Sequence, residues 1–374
     1  MNFLILTHQY PKKDNLYRNG FVHQRVKAYI ASNYNTEVWV MKENNDEEIY
    51  YFDGVKVIEG NKEQFNHYVK KNKIDRILVH FLLENMVEAL LKVSINIPMF
   101  IWVHGYEALK WNRRLFQPWN FYSWRDLRVR KNLKQLKAFK HFNEKNEMEK
   151  ISYIFVSNWM KKIAEQDVKT KFKKTYIIPN YINTDLFKYE KKEENQRKKI
   201  LLIRSFHNRK YATDVAVNAI LELSKTEKFT DLEFEIYGNG KYFNSDTRLL
   251  DKFSNVKVHN KFLTQEEIAD IHKKFGVFLC PTRQDAQGVS MCEAMASGLI
   301  PITSNNTAIP EYVTHSETGF LTNNHKEIAD SILKLYNNAE LFTTMSKMTS
   351  DSINQICNYE ETIKKELDKI INLQ

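Results

Sequence analysis

The chain has 374 residues, 43% of them hydrophobic, which exceeds one average domain and suits two of roughly 150–200 residues with a core each. Its net charge of +10 predicts an anionic partner without naming it. No apolar run approaches the ~20 residues that span a bilayer, so a soluble or peripheral protein is expected. Cys280, Cys292 and Cys357 have the spacing of neither a zinc site nor a disulfide framework, which points to a reducing cytoplasm.

Along the chain, strands alternate with helices. Phe3 to Thr7 is a short apolar strand, and the opening MNFLILTHQYPKK is too short in apolar length for a signal peptide. Gly20 to Ile30 has helical spacing, and Glu37 to Met41 is again a strand. Residues 50–58 hold Asp53-Gly54 between apolar runs, a hairpin signal. Ile77 to Phe81, Met99 to Val103 and Ile151 to Val156 are further strands. Residues 188–199 are almost wholly polar and read as a linker or exposed connector. The pattern then restarts with strands at Lys199 to Arg204, Leu232 to Tyr237, Val256 to His259, Val277 to Cys280 and Ile300 to Thr303. A last helix, Glu360 to Leu373, has no strand after it. Such alternation predicts an α/β protein with parallel sheets covered on both faces.

The most informative stretch is Cys280 to Gly298, CPTRQDAQGVSMCEAMASG. It reads as the end of a buried strand, a polar loop and a short helix that stops at Gly298. The corner at Gly288 aims unbonded backbone N–H groups and the positive end of the helix at one point, a seat for phosphate. Two acids flank that seat, Asp285 in the loop and Glu293 eight residues on in the helix. Carboxylates repel phosphate but accept hydrogen bonds from hydroxyls. A nucleotide-sugar offers phosphates between two sets of hydroxyls.

The segment resembles the E-x7-E region of the family-4, GT-B type glycosyltransferases (glycosyl transferases group 1), with Asp285 in place of the first Glu. The resemblance implies a GT-B fold of two Rossmann-like, doubly wound domains facing a central cleft. It implies residues 1–187 as an acceptor-binding domain, 188–358 as a nucleotide-sugar-binding domain, and 359–374 as a helix returning to the first. It implies that Glu293 holds the nucleotide ribose and that Asp285 contacts donor-sugar hydroxyls. The shorter Asp leaves the sugar open. IIPNYINTDLF, Ile177 to Phe187, resembles the family's interdomain stretch, with Tyr181 in its glycine position.

Other candidates follow strands, where ligands of doubly wound sheets bind. Arg204 and Lys210, in R-S-F-H-N-R-K, match the family's paired cations, which would steady the charge that develops on a departing diphosphate. Tyr211 stands where that family has Gly, so Arg209 is a rival for the second cation. Gly238 follows a strand and allows close approach of backbone. The turn from Asn260 through Phe262 precedes a helix capped by Thr264, and in relatives its backbone reads the base. With these, Gly288, Val289, Ser290 and Met291 are expected to hold the donor. In WVHGYE, His104 resembles the family's first-domain His that contacts the donor sugar, while His80 reads as a packed rim residue. Gly20 sits where the family has a glycine loop, and His23 and Arg25 nearby are candidates for acceptor contacts.

Lys110 to Lys140 holds ten Lys or Arg against one acid, with Trp111, Trp119 and Trp124. With Arg113 and Arg114, these suit an acceptor or membrane surface beside anionic lipid. Nucleic acid, a partner protein or a helix with one solvated basic face would read the same way. No Asp-x-Asp pair occurs, so no metal and no cofactor is expected. The expected activity is metal-independent transfer of a sugar, with retention, from a UDP- rather than GDP-linked donor to a saccharide hydroxyl. A glycolipid or surface-polysaccharide precursor would be the acceptor, in the cytoplasm or at the inner face of the membrane. No nucleic-acid partner is expected. High Lys, Asn and Ile with few Gly and Ala fits an A+T-rich bacterial genome. Two rival readings are a nucleotide-sugar 2-epimerase on the same scaffold and a non-catalytic basic protein that binds membrane or nucleic acid.

Overall fold

A computed structural model describes residues 1–12, 19–44, 46–93, 97–116, 124–145 and 150–372. The chain divides into two compact units: the chain to Tyr181 together with the segment from Tyr359, and Ile182–Asn358.

The first unit is built on eight strands: β1 Asn2–Thr7, β2 Asn35–Met41, β3 Glu48–Phe52, β4 Val55–Gly60, β5 Arg76–His80, β6 Met99–Val103, β7 Ile151–Phe155 and β8 Thr175–Ile177. Helices α1 Gly20–Ala31, α2 Lys62–Lys71, α3 Glu84–Lys92, α4 Trp124–Lys145 and α5 Asn158–Val168 connect them. The spatial order is β3-β4-β2-β1-β5-β6-β7-β8. Every neighbouring pair is parallel except β3–β4. That hairpin turns at Asp53 (φ 51°) and Gly54 (φ 80°), the left-handed pair that a two-residue turn requires. β1 lies at the centre, and the chain leaves it on one side toward β2 and later on the other toward β5. The switch point of this sheet is therefore at the carboxyl ends of β1 and β5.

The second unit has β9 Lys199–Ile203, β10 Glu233–Gly238, β11 Val256–Asn260, β12 Val277–Leu279, β13 Ile300–Ser304 and β14 Phe320–Thr322. Its helices are α6 Thr213–Leu223, α7 Phe243–Thr247, α8 Gln265–His272, α9 Val289–Ala296, α10 His325–Asn337 and α11 Ala339–Cys357. The order β11-β10-β9-β12-β13-β14 is all parallel, with the switch between β9 and β12. β9, β12 and β13 are apolar nearly throughout because both faces are covered. The polar stretch 188–199 is an exposed connector over much of its length, as expected, with one exception. Lys192 is buried, its ammonium bonds the carbonyl of His272 at 2.6 Å, and burial pushes it down to about 8. An ammonium can be buried there because the backbone oxygen replaces its water.

The chain from Tyr359 ends in α12 Lys365–Ile371, whose Leu367 and Ile370, with Ile363 in the turn before it, join Phe3, Tyr29 and Trp102 in the first unit's core. The polar centre of that core is Glu366, fully buried. It accepts from Arg25 Nε at 2.9 Å, Tyr29 Oη at 2.7 Å and Trp102 Nε1 at 3.0 Å. Arg25, itself 1% exposed, is thus a structural cation and no acceptor contact, a correction of the sequence reading. A buried ion pair stands only when its remaining bonds are met, and here they are. His23 likewise spends both ring nitrogens inside the unit, on Tyr10 Oη (2.7 Å) and Asp53 (3.3 Å).

Candidate functional site

The second unit's switch point gathers a polar cluster. β9 ends at Ile203, so Arg204 emerges beside β12. Its guanidinium donates to Ser290 Oγ at 2.9 Å through Nη1 and to the Cys280 carbonyl at 3.0 Å through Nη2. It is 7% exposed, and its buried Nε has no partner among the described residues. Arg204 therefore ties the end of β12 to the first turn of α9. α9 opens at Gly288, held at φ 84°, a left-handed corner that any side chain would strain. Cys292 N–H makes the first helical bond, to Gly288 O. Val289, Ser290 and Met291 precede it, the positions where a helix offers N–H groups to an anion.

Asp285 makes hydrogen bonds of its own within the loop. Its Oδ1 accepts from Gly288 N–H at 3.1 Å and Gln287 N–H at 3.4 Å, and its own N–H donates to Thr307 Oγ1. The carboxylate thus shapes the corner and takes the Gly288 N–H that the sequence reading offered to phosphate. Lys210 Nζ stands 3.9 Å from Asp285 Oδ1. The rival Arg209 is occupied elsewhere: Nη1 contacts Asp246 at 2.7 Å, and the guanidinium lies 3.9 Å from the Tyr242 ring centroid. Glu293 lies one turn into α9, 9% exposed. Burial pushes its carboxyl up to about 8, opposed by a hydrogen bond from Gln265 at the start of α8.

At the carboxyl ends of β10 and β11 lie the remaining donor candidates of this unit. Gly238 has a protein reason to be glycine: a Cβ there would meet the Arg204 carbonyl at 2.1 Å. Asn260 is exposed and accepts from Asn239 Nδ2 at 2.7 Å, and the half-exposed Phe262 ring lies nearly parallel to His207, centroids 6.4 Å apart. Thr264 caps α8 by accepting from Glu267 N–H.

In the first unit, His104 follows β6 inside an aromatic box of Phe21 (5.0 Å), Phe81 (4.5 Å) and His80 (5.2 Å). Burial, then the nearby Arg25 and the neighbouring His8 ring, hold it well below the usual imidazole range, so it is neutral. Phe81 sits at φ 62°, a costly conformation for an aromatic residue and one that concentrates at functional positions. His80 is fully buried rather than at a rim. Glu107 had no sequence signal beyond its place in HGYE. It is buried, accepts from the N–H of His104 and Gly105, and is pushed up to about 7 by burial. Gly20 begins α1, and a Cβ there would meet nothing within 4 Å, so packing does not demand glycine at that position.

The basic region divides. Arg113 pairs with the Asp167 carboxylate at 2.5 Å, and Arg114 packs over Tyr106, so both are half-buried and engaged within the unit. Trp111 is half-buried, its N–H bonded to Asn132. Trp119 and the side chain of Trp124 lie outside the described residues. Farther along α4, Arg128, Arg130, Lys131 and Lys137 are exposed beside Leu127 and Leu133. Among the described residues, no helix is long and apolar enough to cross a membrane, and no group of three His, Cys, Asp or Glu could hold a metal ion.

Two doubly wound units, the second with a polar cluster at its switch point, define the GT-B class of proteins. Residues 197–338 match the model of the glycosyl transferases group 1 family. An uncharacterized glycosyltransferase of Methanocaldococcus jannaschii is 24% identical over 75% of this chain and 70% of its own length. Among solved structures, the sucrose-phosphate synthase of Thermosynechococcus elongatus matches with a TM-score of 0.75 at 16% identity, over 99% of this chain and 98% of that one. The Anabaena protein HepE, solved with UDP and glucose, matches with a TM-score of 0.69 at 13% identity over all of both chains.

Proposed function

We propose that the protein transfers a sugar, with retention, from a UDP-sugar to a hydroxyl of a saccharide acceptor, without a metal. The observation that carries this reading is the Arg204–Ser290 anchor, which sets a guanidinium against the first turn of α9. Arg204, Lys210 and the N–H groups of Val289 to Met291 would hold the diphosphate, and Glu293 the ribose. Asp285 and His104 would contact sugar hydroxyls. Gly238, Asn260 and Phe262 would border the base, and Gly20 the phosphates. The domain roles expected of residues 1–187 and 188–358 belong to the same proposal. In the step itself, the bond from the anomeric carbon to the phosphate oxygen breaks and the diphosphate takes that electron pair. The acceptor oxygen bonds to the same carbon on the face the diphosphate leaves, and its proton passes to the departing phosphate.

The exposed cations of α4 beside Leu127 and Leu133 support a lipid-linked acceptor met at an anionic membrane surface. The test of the donor site is thermal stabilisation by UDP, GDP and UDP-sugars in EDTA, on the wild type and Glu293→Ala. A ligand that binds the native state raises Tm by mass action. UDP raising the wild-type Tm, with the shift lost in the variant, is the expected result. Equal shifts in both proteins would remove Glu293 from the site, and no shift with any nucleotide would remove the reading.

A further inference from the structure

His80 and His104 share one hydrogen bond, Nδ1 of the first to Nε2 of the second at 2.9 Å, with rings stacked 17° apart. Only one of the two nitrogens can carry the proton between them. If His104 donates, neutral His80 must keep its own proton on Nε2. That nitrogen is fully buried and has no partner among the described residues. A buried N–H without an acceptor is the rarer and costlier defect, whereas a bare ring nitrogen there loses only an acceptor's bond. If His80 donates instead, Nε2 is bare, and neutral His104 must carry its proton on Nδ1. His104 Nδ1 makes no hydrogen bond with any described residue, and Phe21 and Phe81 pack the ring and hold its plane.

We infer that His80 is a positioning residue that fixes His104 as the Nδ1–H tautomer, so that His104 meets its ligand as a hydrogen-bond donor to a sugar oxygen. The sugar-contact role of His104 comes from the proposed function; the tautomer stands on the pair itself. Both rings are neutral, because burial and the nearby Arg25 hold each well below its usual range. A donor at Nδ1 selects a lone pair of a hydroxyl or ring oxygen. A His104 with a bare Nδ1 would instead select a hydroxyl's proton.

The experiment is two-bond ¹H–¹⁵N correlation of the histidine rings in the labelled full chain, on the wild type, His80→Phe and His80→Asn. Phe keeps a ring against Trp102 but offers no donor, while the Asn amide nitrogen can stand where His80 Nδ1 stands. Expected are a protonated Nδ1 and a bare Nε2 for His104 in the wild type, loss of that single tautomer in His80→Phe, and its return in His80→Asn. A wild-type His104 protonated at Nε2 overturns the inference even if neither variant folds. An unchanged His104 spectrum in His80→Phe overturns the role of His80. UDP-glucose titration separates the underlying reading. His104→Ala binding UDP-glucose as tightly as the wild type would remove His104 from the sugar site, while the spectra still decide the tautomer. If the sugar contact is right, His80→Phe weakens UDP-glucose binding roughly tenfold with UDP binding unchanged, the size of one hydrogen bond.

Discussion

Replacing Glu293 by Gln should change how stability depends on pH before any ligand is added. The Glu293 carboxyl is buried against one hydrogen bond, from Gln265, and rises from 4.5 in the open chain to about 8. A raised carboxyl contributes stability that is complete below the unfolded value and is lost as pH rises through the folded one. At ~1.36 kcal/mol per unit, the displacement amounts to ~5 kcal/mol between pH 4.5 and the alkaline side of 8. Between about pH 6.5 and 7.5 the folded state holds this proton and the unfolded chain does not, so the slope is about −1.2 kcal/mol per pH unit. Buried histidines pull the other way, His272 in the second unit held down to about 3 by burial and, in the first unit, His8 to about 4 and His80 and His104 well below their usual range. Their stabilisation is gained on the acid side and is nearly complete by about pH 6.5. Glu107, pushed up to about 7, is in the first unit and is unchanged by the substitution. Urea unfolding of the second unit at about pH 6.5, 7 and 7.5 should therefore show the wild type losing ~1 kcal/mol per pH unit more than Glu293→Gln. The same slope in both proteins would refute the burial argument. A variant that is flatter in pH and also blind to UDP would join the buried acid to the nucleotide.

Lys210→Ala should cut turnover roughly 10- to 100-fold with little loss of stability, because the lysine is partly exposed and its contact to a diphosphate would strengthen as charge develops. Arg209→Ala should do the reverse, lowering the urea midpoint by leaving the buried Asp246 carboxylate without its cation; equal effects on rate would reinstate it as the second cation. Glu366→Gln should destabilise the first unit by about 3–5 kcal/mol, read by urea unfolding, because Arg25 would remain buried without a counter-charge. A loss under about 1 kcal/mol would mean that water or another group solvates Arg25. Gly238→Ala forces a Cβ onto the Arg204 carbonyl and should cost about 1–3 kcal/mol in unfolding while weakening UDP in titration calorimetry. Unchanged stability would show that the 204–207 loop yields.

Much of the architecture is local and could be read from the residues. The strand Met99–Val103 is a continuous apolar run, and Asp53-Gly54 is turn chemistry, so both stand where expected. The strand, loop and helix of Cys280 to Gly298 are equally local, because a short apolar run, a left-handed glycine and a helical repeat each act within a few residues. β8 and β14 escaped notice, since three residues carry no period and their pairing depends on a neighbouring strand. Even the terminal helix is regular only from Lys365 onward, after a wider turn over Glu360–Lys364 that its composition does not announce.

Residue types and their order were legible in the chain before folding: a cation after one strand, an acid and a glycine corner after another, a histidine after a third. Tertiary structure alone decided their employment. Arg113 meets Asp167, Arg25 meets Glu366 and Arg209 meets Asp246 across 54, 341 and 37 positions. Those pairings took three cations out of contention for a ligand, while Lys210 came to stand by Asp285. His80 and His104 became partners because β5 and β6 lie side by side in register. Propensity and turn chemistry are short-range and survive in the unfolded chain's sequence. Ion pairing, burial and the choice of a tautomer exist only once distant strands have been ordered into a sheet.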